Sequence, residues 1–215
     1  MTVSTKLQSP KVPAELSPIS LEEEIHHERY FQMGIVNDCE ITGESIEKLC
    51  FEKVVFKNVT FQDVSFRFND LTDVVFDKCD LSNADFGDAI VHRVEMKECK
   101  MLGMNLSGST LRNVLFDECI GKLAAFGYSD CKNVKFQASY LCNADFYEAK
   151  FKNVAFDQCD LNEANLSGTI LKGIDLSTCS FEKLTISIEK LEGCIISNEQ
   201  AIGFAKALGL VIKEE

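Results

Sequence analysis

The chain is 215 residues long, carries 34 acidic against 22 basic side chains for a net charge of −12, and is 46% hydrophobic. That length suits one domain or two small ones, the apolar share excludes a wholly disordered chain, and the acidic balance argues against direct nucleic-acid binding, which needs a basic footprint. Sixteen phenylalanines, ten cysteines and no tryptophan point to a core built on one repeated slot size.

Residues 1–18 hold all three prolines and few large apolar residues, which predicts a flexible N-terminal tail. Its start, Met1-Thr2-Val3-Ser4-Thr5-Lys6, lacks the cationic and apolar character of a leader. No apolar run approaches the roughly 20 residues that cross a bilayer, and there is no C-x-x-C. The expectation is a cytoplasmic protein with reduced thiols and no membrane association. Residues 19–35 are expected to cap the region that follows. Ser20 and Glu23 have capping-box spacing, with helix and extended chain left as equal alternatives. His26-His27 lacks a Cys or carboxylate cluster to complete a metal site, so no metal or cofactor is expected.

From residue 36 to 196 the chain has a period of five. Stepping from Ile41 through Phe51, Phe61, Leu71, Leu81, Val91, Met101 and Leu111, with the intervening fives, a large apolar residue recurs up to Leu191, and only Gly121 and Cys131 depart. Thirteen of the 16 phenylalanines fall in this register. A second register two residues earlier holds smaller side chains, among them Val54, Val64, Ala84, Cys99, Ala144 and Cys159. A period of five fits neither an α-helix at 3.6 nor a flat strand at 2.0. It fits an all-β solenoid whose side chains turn inward at fixed corners. Gly121 marks either a kink or an ordinary departure.

Asn83-Ala84-Asp85-Phe86-Gly87, Asn143-Ala144-Asp145-Phe146-Tyr147 and Glu163-Ala164-Asn165-Leu166-Ser167 resemble the pentapeptide-repeat family motif, roughly A-(D/N)-(L/F)-x-x. The resemblance implies a right-handed quadrilateral β-helix of about eight coils, four pentapeptides to each. Residues 20 apart then stack in columns. Cys79, Cys99 and Cys119, then Cys159 and Cys179, obey that spacing as small buried residues. Outward columns carry charge. Arg112, Lys132, Lys152 and Lys172 form a basic column with His92 at its near end, and Asp77, Asp117 and Asp157 form an acidic one with Glu98 and Glu118 beside it. Two readings follow for the acids: a solvated surface of weak ion pairs, or a stripe that imitates a phosphate backbone.

Residues 197–215 read as a short α-helix and strand. Ser197 and Gln200 have capping-box spacing. Ala201, Ile202, Ala205 and Leu208 make one apolar face, Gly209 supplies the stop, and Leu210-Val211-Ile212 is strand-like. A helix this short needs packing to persist, so this segment, with Leu210 and Ile212, is the expected dimerisation seam. The tail looks like that of the quinolone-resistance pentapeptide-repeat (Qnr) proteins, closest to their loopless chromosomal Gram-positive type. That resemblance implies a non-enzymatic, DNA-mimicking homodimer that binds DNA gyrase or topoisomerase IV. The acidic column, Asp77, Glu98, Asp117, Glu118 and Asp157, is the surface expected to face the topoisomerase. The alternatives are a generic pentapeptide scaffold for another bacterial protein and a self-resistance factor against a different gyrase toxin. No G-x-S-x-G, P-loop, H-E-x-x-H or Rossmann glycine pattern supports an enzyme.

Overall fold

The computed structural model describes residues 7–207 and 210–213. After a two-residue strand β1 (Ser17–Pro18) and a one-turn helix α1 (Leu21–Glu24), the chain enters a parallel β-solenoid of about seven turns. One face is a ladder of the eight-residue strands β2 (Tyr30–Asn37), β4 (Cys50–Lys57), β6 (Asp70–Asp77), β7 (Ile90–Lys97), β8 (Thr110–Asp117), β9 (Asp130–Gln137) and β10 (Lys150–Asp157), with β1 on its edge. The short strands β3 (Glu40–Thr42) and β5 (Thr60–Gln62) pair on another face, and isolated parallel bridges continue the stacking there. Pairing is in register at 20 residues: Phe56 faces Phe76, and Val114 faces Val134. The coil starts at Tyr30, inside the segment expected to be cap, because Phe31 and Val36 extend the inward register by two positions.

Each large inward residue is followed two positions later by a residue with positive φ, from Met33 (φ 49°) to Glu163 (φ 58°). This left-handed corner costs an ordinary residue about 1–2 kcal/mol. Side-chain hydrogen bonds between stacked corners offset it: Asn58 donates to Asp38 (2.9 Å), Asn153 to Asn133 (3.0 Å) and Asn143 to Glu163 (2.7 Å). Inside, aromatic rings stack down each column and meet edge to face between columns. Phe136 lies 4.7 Å from Phe116 and 5.0 Å from Phe156 in near-parallel stacks, and 5.4 Å from Phe126 at 86°. Such pairs contribute about 0.5–1.5 kcal/mol beyond burial.

The cysteines are more than small hydrophobes. The Sγ of Cys79, Cys99 and Cys119 donate to the carbonyls of Phe56, Phe76 and Met96, each 23 residues back. Ser109, Ser139 and Thr169 do the same to Phe86, Phe116 and Phe146. The slot therefore accepts a compact side chain with a donor, which adds a bond to a backbone carbonyl of the preceding coil. All ten thiols are free, and burial pushes that of Cys131 up to about 11. At Gly121 the space a side chain would take is occupied from the next coil by Leu141, and the bridge series Lys100, Ile120, Tyr140 passes through unbroken.

Both ends are closed by side chains. Leu21 and Ile25 plug the first coil. The segment expected to be a flexible tail lies, from residue 7, along the rod: Ser17 pairs with Gly34, Lys11 N–H donates to Asp73 Oδ1 (2.9 Å) and Gln8 N–H reaches Asn113 Oδ1 (3.4 Å). At the other end α2 (Asn198–Ala207) is held by Gln200. Its Nε2 donates to the carbonyls of Leu176 (2.9 Å) and Cys179 (2.8 Å), while Ser197 N–H donates to its Oε1 and its own N–H donates to Ser197 Oγ.

Candidate interaction surfaces

The strand face and the corner beyond it carry the charged columns. Register pairing places His92, Arg112, Lys132 and Lys152 in one file. His92 contributes a neutral ring, because burial and the neighbouring Arg93 hold its pKa below the usual imidazole range. Arg112 is neutralised by Asp130 at 2.5 Å. The cationic part of the column is thus Lys132 and Lys152, with Lys172 beyond the ladder and 3.4 Å from Glu192.

Asp77, Asp117 and Asp157 do share a column, but Lys57, Lys97 and Gln137 alternate with them. Gln137 donates to Asp117 (3.0 Å), and Lys135 pairs with Asp157 (3.0 Å). Glu98 sits 3.6 Å from Lys78, and Glu118 follows it one coil on. The carboxylates therefore recur every second coil, roughly 10 Å apart at about 4.8 Å per rung. Further acids lie on the neighbouring faces. There Asp80, Asp85, Asp145 and Asp160 accept bonds from the backbone N–H two residues on, which fixes their carboxylates at the coil edge. Arg67 bridges Asp85 and Asp88, and Lys100 bridges Asp80 (3.0 Å).

Where the strap crosses the strand face, Asp73 is buried with its side chain 3% exposed and bound by Arg93 through two bonds, 2.5 and 2.7 Å. Arg93 is the main reason its carboxyl lies below the ordinary carboxylate range. Nothing in residue type marks this pair in the sequence; it needs the 20-residue stacking to be seen.

At the C-terminal end, α2 contacts the rod through Gln200 and through Phe204, whose ring lies 5.8 Å from Phe181. Phe204 was absent from the apolar face expected for this helix. Ala201, Ile202, Leu210 and Ile212 are exposed and Ala205 is half-buried, so the residues assigned to the seam face away from the rod. Leu208 and Gly209 lie outside the described residues. The last coil is thinly covered, with Phe181, Leu184, Ile186 and Leu191 only partly buried. Among the described residues there is no cluster of three metal-ligating side chains, and no helix is long and apolar enough to cross a membrane.

The unbroken five-residue register, the 20-residue columns and the parallel ladder define a pentapeptide-repeat solenoid. The description "Pentapeptide repeat region" matches residues 69–146, and "Pentapeptide repeats (8 copies)" matches residues 129–168 and 159–198. The chain belongs to the pentapeptide-repeat family. It is 47% identical over 206 residues to the uncharacterized protein YisX of Bacillus subtilis (strain 168), covering 96% of this chain and 97% of that one. Among solved structures, a trypsin-treated form of QnrB1, a plasmid-mediated fluoroquinolone resistance protein, aligns at 19% identity over 84% of this chain and 100% of its own, with a TM-score of 0.42. HetL, a pentapeptide repeat protein involved in heterocyst differentiation regulation in the cyanobacterium Nostoc, aligns at 17% identity over 83% and 91% with a TM-score of 0.21.

Proposed function

We propose that this protein is a DNA-mimicking homodimer that binds a bacterial type II topoisomerase, gyrase or topoisomerase IV, and so protects it from quinolones or inhibits supercoiling. The observation that carries the reading is a parallel, in-register ladder that holds carboxylates at fixed intervals. Asp77, Asp117 and Asp157, flanked by Glu98 and Glu118, run parallel to the rod axis, with Asp80 and Asp160 on the adjoining column. No single column reaches the charge density of duplex DNA, one negative charge per about 1.7 Å of axis. Together the neighbouring columns present an acidic side to a basic DNA-binding groove, where complementary potential favours fast, salt-sensitive association. The thinly covered last coil and the exposed Ala201, Ile202, Leu210 and Ile212 support pairing of two rods end to end.

Purified protein added to gyrase in a supercoiling assay, with and without ciprofloxacin, tests the reading. We expect reduced supercoiling, or restored supercoiling in the presence of drug. Asp117→Lys with Asp157→Lys should weaken the effect more than Lys152→Glu with Lys172→Glu. No change in either condition would favour the second reading, a scaffold for another bacterial protein.

A further inference from the structure

The strand ladder stops at β10, although the chain crosses the same face again at residues 170–177. Among the described residues, no backbone hydrogen bond joins those two passes. On the other faces the same coils remain stitched, with Leu161 N–H to Ser180 O at 2.9 Å and Leu166 N–H to Thr185 O at 2.7 Å. The following pass is bonded again, Leu176 N–H to Ile195 O at 2.8 Å. The result is a slit pinned at both ends, by Glu148 N–H to Ser167 O (2.9 Å) and by Gln158 N–H to Thr178 Oγ1 (3.2 Å). It holds a cavity of about 420 Å³ lined by Phe151, Val154, Lys172, Ile174, Asp175 and Ile195. A Cβ on Gly173 would meet nothing within 4 Å, whereas one on Gly103, Gly108 or Gly168 would meet the preceding coil.

Asp175 explains the break. Its Oδ1 accepts both Ser177 N–H (2.9 Å) and Ser177 Oγ–H (2.6 Å). The same turn closes at Asp80, Asp85, Asn105 and Asp160 on faces where the chain turns instead of running as a strand. On the strand face the equivalent positions are Val55, Val75, Glu95, Leu115, Lys135 and Ala155; none of them closes this turn, and the longer Glu95 carboxylate pairs with Lys97 (2.6 Å) instead. Asp175 thus imposes turn geometry on a strand face, and the two conformations do not share a hydrogen-bond register.

We propose that the slit between β10 and residues 170–177 is a strand-accepting site, filled by Leu210–Lys213 of a second copy. It rests on the C-terminal dimer proposed above and gives that dimer a specific contact. Facing edges with unpaired N–H and C=O groups take up extended backbone, and Phe151, Ile174 and Ile195 offer apolar contacts to alternate residues. Among the described residues, Leu210–Lys213 is such a run. Leu210 is 60% and Val211 97% exposed, and Leu210 N–H is tied to Ala205 O (3.0 Å), which holds the run against its own helix. Lys152 and Lys172 stand at the rim, and Glu214-Glu215 follows the run in sequence.

Hydrogen exchange on the full chain at dimer-forming concentration, read beside light scattering, tests this. Val211→Pro removes a backbone donor at an exposed position. It should speed exchange of the amides of residues 150–157 and 170–177 by at least about tenfold, leave β8 unchanged and weaken the dimer. Asp175→Val should close the slit and also weaken the dimer, while its edge amides stay protected on dilution. If Ile202→Asp dissociates the dimer and Val211→Pro changes neither exchange nor mass, the C-terminal dimer stands and the slit proposal falls. Protection that persists in a monomer would place the chain's own tail in the slit and overturn the assignment to a second copy. Unprotected edges in a monomer would overturn both.

Discussion

Ile19 occupies the space in which Gly34 has no side chain. Every later rung has Val at that position, from Val54 to Val154, and a Cβ on Gly34 would overlap both Ile19 Cδ1 and Cγ1 and come within 3.0 Å of Ser17 O. The cap thus completes the first coil by lending it a side chain. Gly34→Val should expel Ile19 and destabilise the fold by about 1–3 kcal/mol, and Ile19→Ala should cost a comparable amount through the cavity it leaves. The double variant should cost less than the sum. Urea denaturation of the four proteins measures the coupling, and strict additivity would show that the two side chains do not share one slot.

Asp73 and Arg93 make a stacked, largely buried pair one coil apart. Asp73→Ala leaves the guanidinium without its carboxylate and should cost about 3–5 kcal/mol. It also frees Lys11 N–H, so residues 7–16 should become more sensitive to protease. Because the folded-state pKa of Asp73 is depressed, its stabilisation is complete above the unfolded value of about 3.9. It is lost as pH falls through the lower folded value. Wild-type stability should fall on acidification below pH 4 more steeply than that of Asp73→Ala; parallel curves would dismiss the pair as a source of pH dependence.

Asn69 sits fully buried in the small inward slot. Its Oδ1 accepts Leu49 N–H (3.2 Å), but its Nδ2 has no partner. Ser109, two coils on, manages both tasks, accepting Ala89 N–H (3.1 Å) and donating to Phe86 O (3.1 Å). An orphaned buried donor costs about 1–3 kcal/mol. Asn69→Ser should therefore stabilise the rod by about 1 kcal/mol, visible as a rise in melting temperature. A fall would show that the smaller side chain leaves a void worth more than the satisfied donor.

Gln200 closes a capping box and caps two carbonyls of the preceding coil. Gln200→Ala should detach α2, with the loss of about 2 kcal/mol, and should weaken any dimer built on Ile202. Gln200→Glu keeps the acceptor of the capping box and removes both carbonyl bonds. A glutamate variant as stable as wild type would mean that the carbonyl contacts contribute nothing.

The inward registers were readable because side-chain size alone specifies them; a Phe or Leu every fifth residue has one place to go. The left-handed corners were hidden. Asn83, Asn113 and Gly103 hint at them, but Leu123, Tyr128 and Glu148 adopt the same φ with no such hint. The N-terminal strap along the rod has no signature in the sequence, because backbone N–H groups of Gln8 and Lys11 fasten it and these leave no mark in residue type. The acidic column shows in the sequence only at every second member, with Lys97 and Gln137 standing between. The slit depends on Asp175 standing on a strand face, and the pentapeptide motif is the same on strand and turn faces.

The side-chain ladders that hold the rod join residues 20 to 23 positions apart, as from Asn58 to Asp38 and from Cys79 to Phe56. Each added coil consequently closes a loop of the same size and meets the same entropic cost. The molecule has a single length quantum. Under tension applied at its ends it should yield in equal increments of about 66–72 Å of contour, one coil of 20 residues at roughly 3.3–3.6 Å each. Across relatives, gain or loss of a whole coil would lengthen or shorten the charged columns by one rung and leave every other contact in place.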